Sequence, residues 1–278
     1  MPELPEVETT VNDLIPYVIG KKIIQVIIFK SNSIAEPNVE KFQKELTGRK
    51  VLGLSRRGKY IIFTLDEGKY LIVHLRMTGS LIVKSEFDQP DKFIRVIIYL
   101  NDKTTIHFRD VRRFGRMWLT ENADNVLGKL GIEPLNVYFT AQILAQILRN
   151  RTTPIKGLLL DQTLIAGIGN MYADEALFKA RIHPLRPAGS LKKTEIASLH
   201  TAIQYVLQKG IRNKGASTDT YFRPEGTKGE AHLEFQVAHR KGEECSVCGG
   251  LVERIVVGQR STFFCPKCQI LSKTKSQL

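Results

Sequence analysis

The chain has only four cysteines, a single tryptophan and no long apolar segment, and these shortages limit the classes of protein to which it can belong. No apolar run reaches the roughly 18 residues that a membrane-spanning helix needs. The segment after Met1 is acidic and carries prolines, which is untypical of a secretory signal or a transit peptide. We therefore predict a cytoplasmic protein without a membrane partner. At 278 residues and 42% hydrophobic, the chain is long enough for more than one domain.

Acidic residues are also scarce relative to basic ones, with 28 Asp and Glu against 41 Lys and Arg, a net charge of +13. Such an excess favours a polyanionic partner, although solubility alone accounts for part of it. The basic residues concentrate at 49–59 and 109–116, and the second group is interleaved with Phe108, Phe114 and Trp118. A nucleic-acid-binding surface has this composition, and so does a solvated strand face.

The four cysteines all lie in the last 34 residues. Cys245-x2-Cys248 and Cys265-x2-Cys268 are separated by sixteen residues, a spacing typical of zinc ribbons. Two disulfides are the alternative, and the missing secretion signal disfavours them. Four thiolates leave no open coordination position, so we predict one structural zinc ion.

Eight segments between residues 22 and 120 have strand-like patterns and are separated by turn residues. They are Lys22–Phe29, Arg49–Ser55, Lys59–Leu65, Lys69–Arg76, Ser80–Lys84, Phe93–Leu100, Thr104–Phe108 and Arg116–Thr120. Strands without intervening helices suggest two packed antiparallel sheets. We therefore predict an N-terminal helix and a β-sandwich over residues 1–130.

The following segment has helical periodicity, with helix starts predicted at Thr140, Thr153-Pro154, Asn170 and either Ser190 or Thr194. Residues 213–236 have no clear periodicity, and we predict a mobile flap there. The predicted fold is a multi-domain α+β protein. Its domains are a sandwich at 1–130, a helical domain with the flap at 131–240 and a zinc finger built on a β-hairpin ribbon at 241–271, followed by a solvated tail.

The N-terminal segment Pro2–Val7 carries a candidate nucleophile. Removal of Met1 before the small Pro2 leaves a secondary amine, and α-amino groups have a lower pKa than lysine side chains, so more of the amine is neutral. Neutral amines attack carbonyl carbon to give Schiff bases. Glu3 and Glu6 are candidate acid or base groups close by. A plain helix start is the alternative, with Pro5 at its first position.

Two further segments suit phosphate binding. Gly167-Ile168-Gly169-Asn170 opens a helix, where free N–H groups and the helix dipole favour an anion; alternatively, Asn170 only caps the helix. Arg260 follows Gly258 near the tip of the zinc-ribbon hairpin, where it either reaches a phosphate or is simply solvated.

Taken together, these motifs resemble the formamidopyrimidine-DNA glycosylases, which remove oxidised purines from DNA. The resemblance begins at Pro2–Thr9 and runs in order through segments 57–60, 74–79, 110–115 and 167–170 to the zinc ribbon with Gln259-Arg260. It implies a β-sandwich, a helix–two-turn–helix domain and a C-terminal zinc finger. It also implies a monomer that acts on double-stranded DNA containing an oxidised base or an abasic site and needs no organic cofactor.

The resemblance assigns chemistry to five residues. Pro2 attacks C1′ of the damaged nucleotide, and Glu3 donates a proton to the sugar ring oxygen. Glu6 holds the arrangement of the site. Lys59 assists elimination of the 3′ phosphate, and Arg260 supports the second elimination.

The resemblance also assigns DNA contacts. His74 and Asn170 grip the backbone, and Arg151 and Lys156 are further contacts. Met77, Arg112 and Phe114 fill the space left by the extruded nucleotide, with Arg112 on the orphaned cytosine. Without the resemblance, core packing for Met77 and Phe114 and a surface charge for Arg112 are the simpler interpretations. Residues 213–236 resemble the family's lesion-recognition loop.

The sequence departs from the family pattern at two places. Phe93 stands near a position where the family usually has histidine, and Ala238-His239-Arg240 replaces a common Tyr-Gly-Arg. These changes leave the details of DNA contact open. Two rival functions remain: an endonuclease VIII type that prefers oxidised pyrimidines, and a non-catalytic zinc-containing DNA-binding protein.

Overall fold

The computed structural model describes residues 1–218 and 221–271. Residues 219–220 of the predicted flap and the predicted tail at 272–278 lie outside the described residues. The chain divides into two compact units, Met1–Lys129 with Gly210–His232 and Leu130–Lys209 with Leu233–Leu278. Among the described residues, no helix is both long and apolar enough to cross a membrane.

The first unit begins with a helix and continues mainly in strands. Its elements are α1 (Leu4–Val18), β1 (Ile23–Ile28), β2 (Ile34–Glu36), α2 (Val39–Leu46), β3 (Val51–Arg57), β4 (Tyr60–Leu65), β5 (Tyr70–His74), β6 (Gly79–Ser85), β7 (Ile94–Leu100), β8 (Thr104–Asp110), β9 (Arg116–Thr120) and α3 (Asp124–Leu127). All eight predicted strands are present.

The strands form two sheets that share one core. One sheet has the order β1-β7-β8-β6 and the other β2-β9-β5-β4-β3. Apolar residues of both sheets, such as Val96 and Phe108 from one and Phe63 and Val73 from the other, belong to the same buried cluster as Val7 of α1. The predicted β-sandwich is confirmed, and α1 is part of its core.

The prediction of purely antiparallel sheets was wrong at one edge. β2 pairs with β9 in parallel, and every other strand pair in the two sheets is antiparallel. β2 has only three residues, so it carries too little alternation to be recognised in the sequence. Helices α2 and α3 were also missed; both are short.

The second unit contains the predicted helices and the zinc-ribbon hairpin. Its elements are α4 (Ala141–Leu148), α5 (Ile155–Leu159), α6 (Asn170–Lys179), α7 (Lys193–Arg212, whose last three residues belong to the first unit), β10 (Glu253–Val257) and β11 (Arg260–Phe264). Thr140 caps α4 as predicted, because its Oγ1 accepts a hydrogen bond from the N–H of Ile143 at 3.2 Å. Every residue of α6 from Met171 to Phe178 is buried, so this helix is the centre of the unit.

Candidate active site and DNA-binding residues

The N-terminal segment is fixed by two buried glutamates. Glu3 is the N-cap of α1 and forms a capping box with Glu6, in which the N–H of Glu3 donates to Oε2 of Glu6 at 2.7 Å. The other oxygen of Glu6, Oε1, accepts from the N–H of Ala216 at 2.7 Å. Because both oxygens of Glu6 accept backbone N–H groups, this side chain suits positioning rather than proton donation. Glu3 lies directly beside buried Pro2.

Lys59 lies in the tight turn between β3 and β4. Arg57 and Tyr60 are paired across the strands, which leaves Gly58 and Lys59 as the two turn residues, and Gly58 has a φ of 57° that favours glycine. Arg56 ties this turn to α1, because its guanidinium donates to Oε2 of Glu8 at 2.6 Å and to the carbonyl of Gly58 at 3.0 Å. The turn that carries Lys59 is therefore held against the helix that follows Pro2.

His74 ends β5 and is held in one tautomer. The N–H of Arg76 donates to Nδ1 of His74 at 2.9 Å, so the neutral ring carries its proton on Nε2. Burial lowers the pKa of His74 to about 3, and the cations of Arg76 and Lys59 act in the same direction. The ring is therefore an uncharged hydrogen-bond donor at neutral pH.

One buried carboxylate, that of Asp110, organises the turns that carry the predicted void-filling residues. Oδ1 of Asp110 accepts from the hydroxyl of Thr78 at 2.5 Å and from the N–H of Arg112 at 3.2 Å. Oδ2 accepts from the N–H of Gly115 at 2.7 Å. A side chain at Gly115 would collide with Phe108. The N–H of Arg112 also donates to Oγ1 of Thr78 at 2.9 Å. Met77 precedes Thr78, so the two turns that carry Met77 and Arg112 are joined through Thr78 and Asp110.

The predicted void-filling residues differ in exposure. Met77 is half-buried, whereas Arg112 and Phe114 are exposed. The Arg112 guanidinium lies 5.0 Å from the centroid of the Phe114 ring. Nothing in the core requires Phe114, since the residue is 47% exposed to solvent. This exposure disfavours the core-packing alternative for Phe114.

In the second unit, Asn170 lies at the start of α6 and contacts the zinc-ribbon hairpin. Its Nδ2 donates to the carbonyl of Ser261 at 2.8 Å. Ser261 follows Arg260, which is exposed at the start of β11. The intervening turn residues Gly258 and Gln259 both have positive φ, as a type I′ hairpin turn requires. The unit thus brings the two predicted phosphate contacts, Asn170 and Arg260, into one neighbourhood.

Lys156 is fully buried and forms an ion pair with Asp174 of α6. Its Nζ also donates to the carbonyl of Asn170 at 3.0 Å, while Oδ2 of Asp174 accepts from the N–H of Phe263 at 3.2 Å. These contacts suit a role in holding Asn170 and strand β11 together, and the DNA contact assigned to Lys156 stays a prediction. Arg151, by contrast, is exposed between α4 and α5.

Glu175, which the sequence did not single out, holds the segment before the zinc finger. Its carboxylate accepts the backbone N–H groups of Gln236, Val237 and Ala238, each at 2.9–3.0 Å. Burial raises the pKa of Glu175, and the three N–H groups oppose that rise. The segment 238–240 that departs from the family pattern is therefore anchored. At the other departure, Phe93, the Arg109 guanidinium lies 4.9 Å from the ring centroid.

The four cysteines meet the requirements of a zinc site. Their Sγ atoms all lie within 4.8 Å of one another, with separations of 3.8 Å for Cys245–Cys268 and 3.4 Å for Cys248–Cys265. A tetrahedral ion with Zn–S bonds of about 2.3 Å places sulfurs about 3.8 Å apart, whereas a disulfide needs about 2.05 Å. The donor set fits one structural zinc ion and excludes the disulfide alternative in this arrangement.

Comparison with known proteins agrees with this geometry along the whole chain. Three family models match in order: the formamidopyrimidine-DNA glycosylase N-terminal domain at residues 1–117, the H2TH domain of the same enzymes at 130–221, and the zinc finger found in FPG and IleRS at 242–270. H2TH is the helix–two-turn–helix domain.

Relatives and solved structures cover almost all of the chain. The formamidopyrimidine-DNA glycosylase of Pelotomaculum thermopropionicum is 44% identical over 97% of this chain and 99% of its own length, and that of Protochlamydia amoebophila is 41% identical over the same shares. Lactococcus lactis Fpg bound to DNA with an abasic site superposes with a TM-score of 0.91 at 38% identity, covering 97% of this chain and 100% of that one. The same enzyme has been solved with DNA containing an oxidised pyrimidine, at a TM-score of 0.90 and 37% identity over the same shares. With a buried Pro2-Glu3 start, a four-cysteine zinc site and these matches, the chain belongs to the formamidopyrimidine-DNA glycosylase family of base-excision repair enzymes.

Proposed function

We propose that this protein excises oxidised purines, such as 8-oxoguanine and formamidopyrimidines, from double-stranded DNA and then cleaves the abasic site by β,δ-elimination through a Schiff base on Pro2. The observation that carries the proposal is the N-terminal arrangement. Pro2 and Glu3 are buried at the start of α1, Glu6 fixes Glu3 by a 2.7 Å hydrogen bond, and the Lys59 turn is tied to the same helix through Arg56 and Glu8.

The first chemical steps follow from this arrangement. Once Met1 is removed, the nitrogen lone pair of Pro2 forms a bond to C1′ as the bond between C1′ and the base breaks, and the proton lost from the amine leaves with the base. Glu3 donates a proton to the ring oxygen O4′, which opens the sugar and leaves an iminium ion. An enzyme that attacks C1′ needs the nucleotide outside the base stack, and Met77, Arg112 and Phe114 would occupy the vacated space. Phe114 suits a wedge between base pairs because it is exposed and apolar.

The eliminations follow because the iminium ion acidifies the neighbouring C–H bonds. Loss of a proton from C2′ expels the 3′ phosphate, and Lys59 assists that step. A further proton loss expels the 5′ phosphate, with Arg260 stabilising the departing anion. Asn170 and Arg151 would contact the backbone in the second unit, and His74 would do so in the first.

We further infer that the protein works in the bacterial cytoplasm on nucleoid DNA. The named relatives are bacterial enzymes, and the excess of 41 basic over 28 acidic residues suits a DNA partner.

Borohydride trapping across a panel of lesions tests the proposal. Oligonucleotides with 8-oxoguanine opposite cytosine and with an abasic site should both give a reduced covalent complex, and undamaged DNA should give none. Stronger trapping on thymine glycol than on 8-oxoguanine would support the endonuclease VIII type of function instead. The solved complex of a relative with an oxidised pyrimidine makes this lesion an essential member of the panel. Trapping on no substrate would favour the non-catalytic DNA-binding protein.

Substitutions of His74 and of Arg260 should weaken DNA binding in different ways. An uncharged donor releases no counterion, so His74→Ala should lower affinity without changing the slope of log K against log salt, equally at pH 6 and pH 8. Arg260→Gln should reduce the magnitude of that slope by about 0.9, the value for one neutralised phosphate. Salt titrations of binding to abasic-site DNA measure both. A slope change for His74→Ala, or none for Arg260→Gln, would contradict the two assignments.

Asp110→Asn should loosen the turns that carry Arg112 and Met77. In asparagine an NH2 group replaces one of the two accepting oxygens, so a donor would face the N–H or O–H donor that now binds there. We therefore expect a loss of about 1.5–3 kcal/mol in the free energy of unfolding. We also expect the preference for cytosine over adenine opposite the lesion to shrink. Denaturant unfolding and excision rates on the two duplexes measure these effects.

Thr78 supplies the matched control. Thr78→Ser keeps the hydroxyl and should retain the preference for cytosine, whereas Thr78→Val should lose part of it. An unchanged preference in both Asp110→Asn and Thr78→Val would show that the carboxylate does not position Arg112.

A further inference from the structure

A stripe of polar residues on α1 contacts the predicted lesion-recognition loop in register. Glu6, Thr10, Asp13 and Tyr17 are spaced by four, three and four residues, so they lie on one face of the helix. Their partners are Ala216, Tyr221, Arg223 and Glu225, which follow in the same order along the chain. The same helix begins two residues after the proposed nucleophile. The loop therefore contacts the same helix that follows the proposed nucleophile.

The contacts near the start of the helix are buried. The hydroxyl of Tyr221 donates to the carbonyl of Glu6 at 3.0 Å and lies 3.5 Å from Oγ1 of Thr10. Burial raises the pKa of Tyr221, so its hydroxyl remains protonated and able to donate. Gly215 packs so closely on Glu6 that a Cβ there would lie 3.0–3.1 Å from it, and its φ of 77° is also unsuited to other residues.

The contacts farther along the helix involve charge. Nε of Arg223 donates to Oδ2 of Asp13 at 2.7 Å, with side-chain exposures of 20% and 11%. The hydrogen bond to Asp13 raises the pKa of Arg223. One turn on, the hydroxyl of Tyr17 donates to Oε1 of Glu225 at 3.0 Å. A charge-assisted hydrogen bond with this burial is stronger than an exposed ion pair.

The opposite side of the segment is attached to the sandwich. The N–H of Val83 in β6 donates to the carbonyl of Pro224 at 2.8 Å, and β6 is an edge strand of its sheet. Within the loop, the hydroxyl of Ser217 donates to the carbonyl of Tyr221 and accepts from the N–H of Gly229, both at 2.9 Å. The described residues of the loop are therefore hydrogen-bonded to one another, to α1 and to β6.

We propose that Asp13 and Tyr17 are positioning residues that hold residues 221–225 of the predicted recognition loop against α1, the helix that follows the nucleophile, and so contribute to selection of the damaged base. This rests on the proposed function, in which the loop recognises the extruded base. Excision of a damaged base needs that recognition. Cleavage of a preformed abasic site does not, because the base is already gone. Disruption of the tethers therefore slows the first reaction and spares the second.

Charge exchange across the Asp13–Arg223 pair provides the test. Asp13→Arg and Arg223→Asp each break the pair, and the double variant restores opposite charges. In single-turnover assays each single variant should excise 8-oxoguanine opposite cytosine about tenfold more slowly, since a tenfold change corresponds to about 1.4 kcal/mol, and cleave abasic-site DNA within about twofold of the parent. The double variant should regain most of the excision rate.

Two further variants keep the result decisive. Tyr17→Phe removes one hydroxyl and should give a smaller shift in the same direction, even if the charge variants fold poorly. Exchange of the Lys103–Glu86 pair, at 3.7 Å with side-chain exposures of 72% and 30%, should alter neither rate and controls for charge reversal itself.

The outcomes separate cleanly. A parallel fall of both rates with a lower melting temperature would show that the pair is merely structural, and unchanged rates would show that the tether is irrelevant. Either result overturns the inference. Failure of the proposed function is seen in the unsubstituted protein alone, which would then excise no oxidised purine. If that protein excised an oxidised pyrimidine instead, the inference would be tested by comparing the excision rate on that base with the cleavage rate on abasic-site DNA in each variant.

Discussion

Replacement of Glu3 by glutamine should slow excision of 8-oxoguanine by about 10²–10⁴-fold, the usual contribution of a positioned acid or base. The amide has nearly the same shape but no acidic proton for O4′, so the sugar ring opens slowly. The backbone N–H of Glu3 can still donate to Glu6, so the start of α1 should be retained. A preformed abasic site already offers an aldehyde to the amine, and its cleavage should fall much less.

Single-turnover rates on the two substrates measure this separation. Glu40→Gln, an exposed carboxylate on α2, is the matched control and should leave both rates unchanged. Equal losses on lesion and abasic DNA in Glu3→Gln would mean that Glu3 does not act in the excision step.

Replacement of Cys265 by serine should remove zinc and abolish strand cleavage. Cys265 is fully buried in the zinc module, and its cluster includes Val237 and Phe263. Zinc binding contributes about 10–16 kcal/mol to the folding of isolated zinc-finger peptides, so the module should not fold without it. The hairpin then loses its links to α6 through Asn170 and Asp174, and Arg260 loses its fixed position.

The zinc content of the purified full chain and cleavage of abasic-site DNA test this expectation. Val247→Ala lies in the same turn as Cys245 and Cys248 but replaces an exposed side chain, so it should keep one zinc ion and full cleavage. Stoichiometric zinc with normal cleavage in Cys265→Ser would contradict a structural four-cysteine site.

Local sequence patterns were sufficient to predict most of the helices and strands. The eight longer strands of the first unit run over five to seven residues each, and helix α4 of the second unit has a cap, Thr140, that is visible in the sequence. Strand β2 has three residues and takes its identity from pairing with β9, which no local pattern reveals. Helix α2 buries only Phe42 and Leu46, so its apolar stripe is too short to stand out.

Some features of the candidate site could likewise be predicted from local sequence, and others could not. The cysteine spacing and the segment at Pro2 could be interpreted locally, because their chemistry depends on neighbouring residues. Asp110 could not, since its partner Thr78 lies 32 positions away and an acid in a basic stretch looks like a solvated charge. Lys156 likewise gave no sign of burial, because Asp174 lies 18 positions further on. The contact between Glu6 and Ala216 spans 210 positions and exists only in the folded chain.

The most direct test of the central claim is the site of covalent attachment. Borohydride reduction with 8-oxoguanine DNA, followed by nuclease digestion and peptide mass mapping, locates the linked residue. We predict that the adduct lies on a peptide that begins with Pro2 and lacks Met1. An adduct on Lys59 or any other lysine, or a trapped chain that retains Met1, would contradict the account.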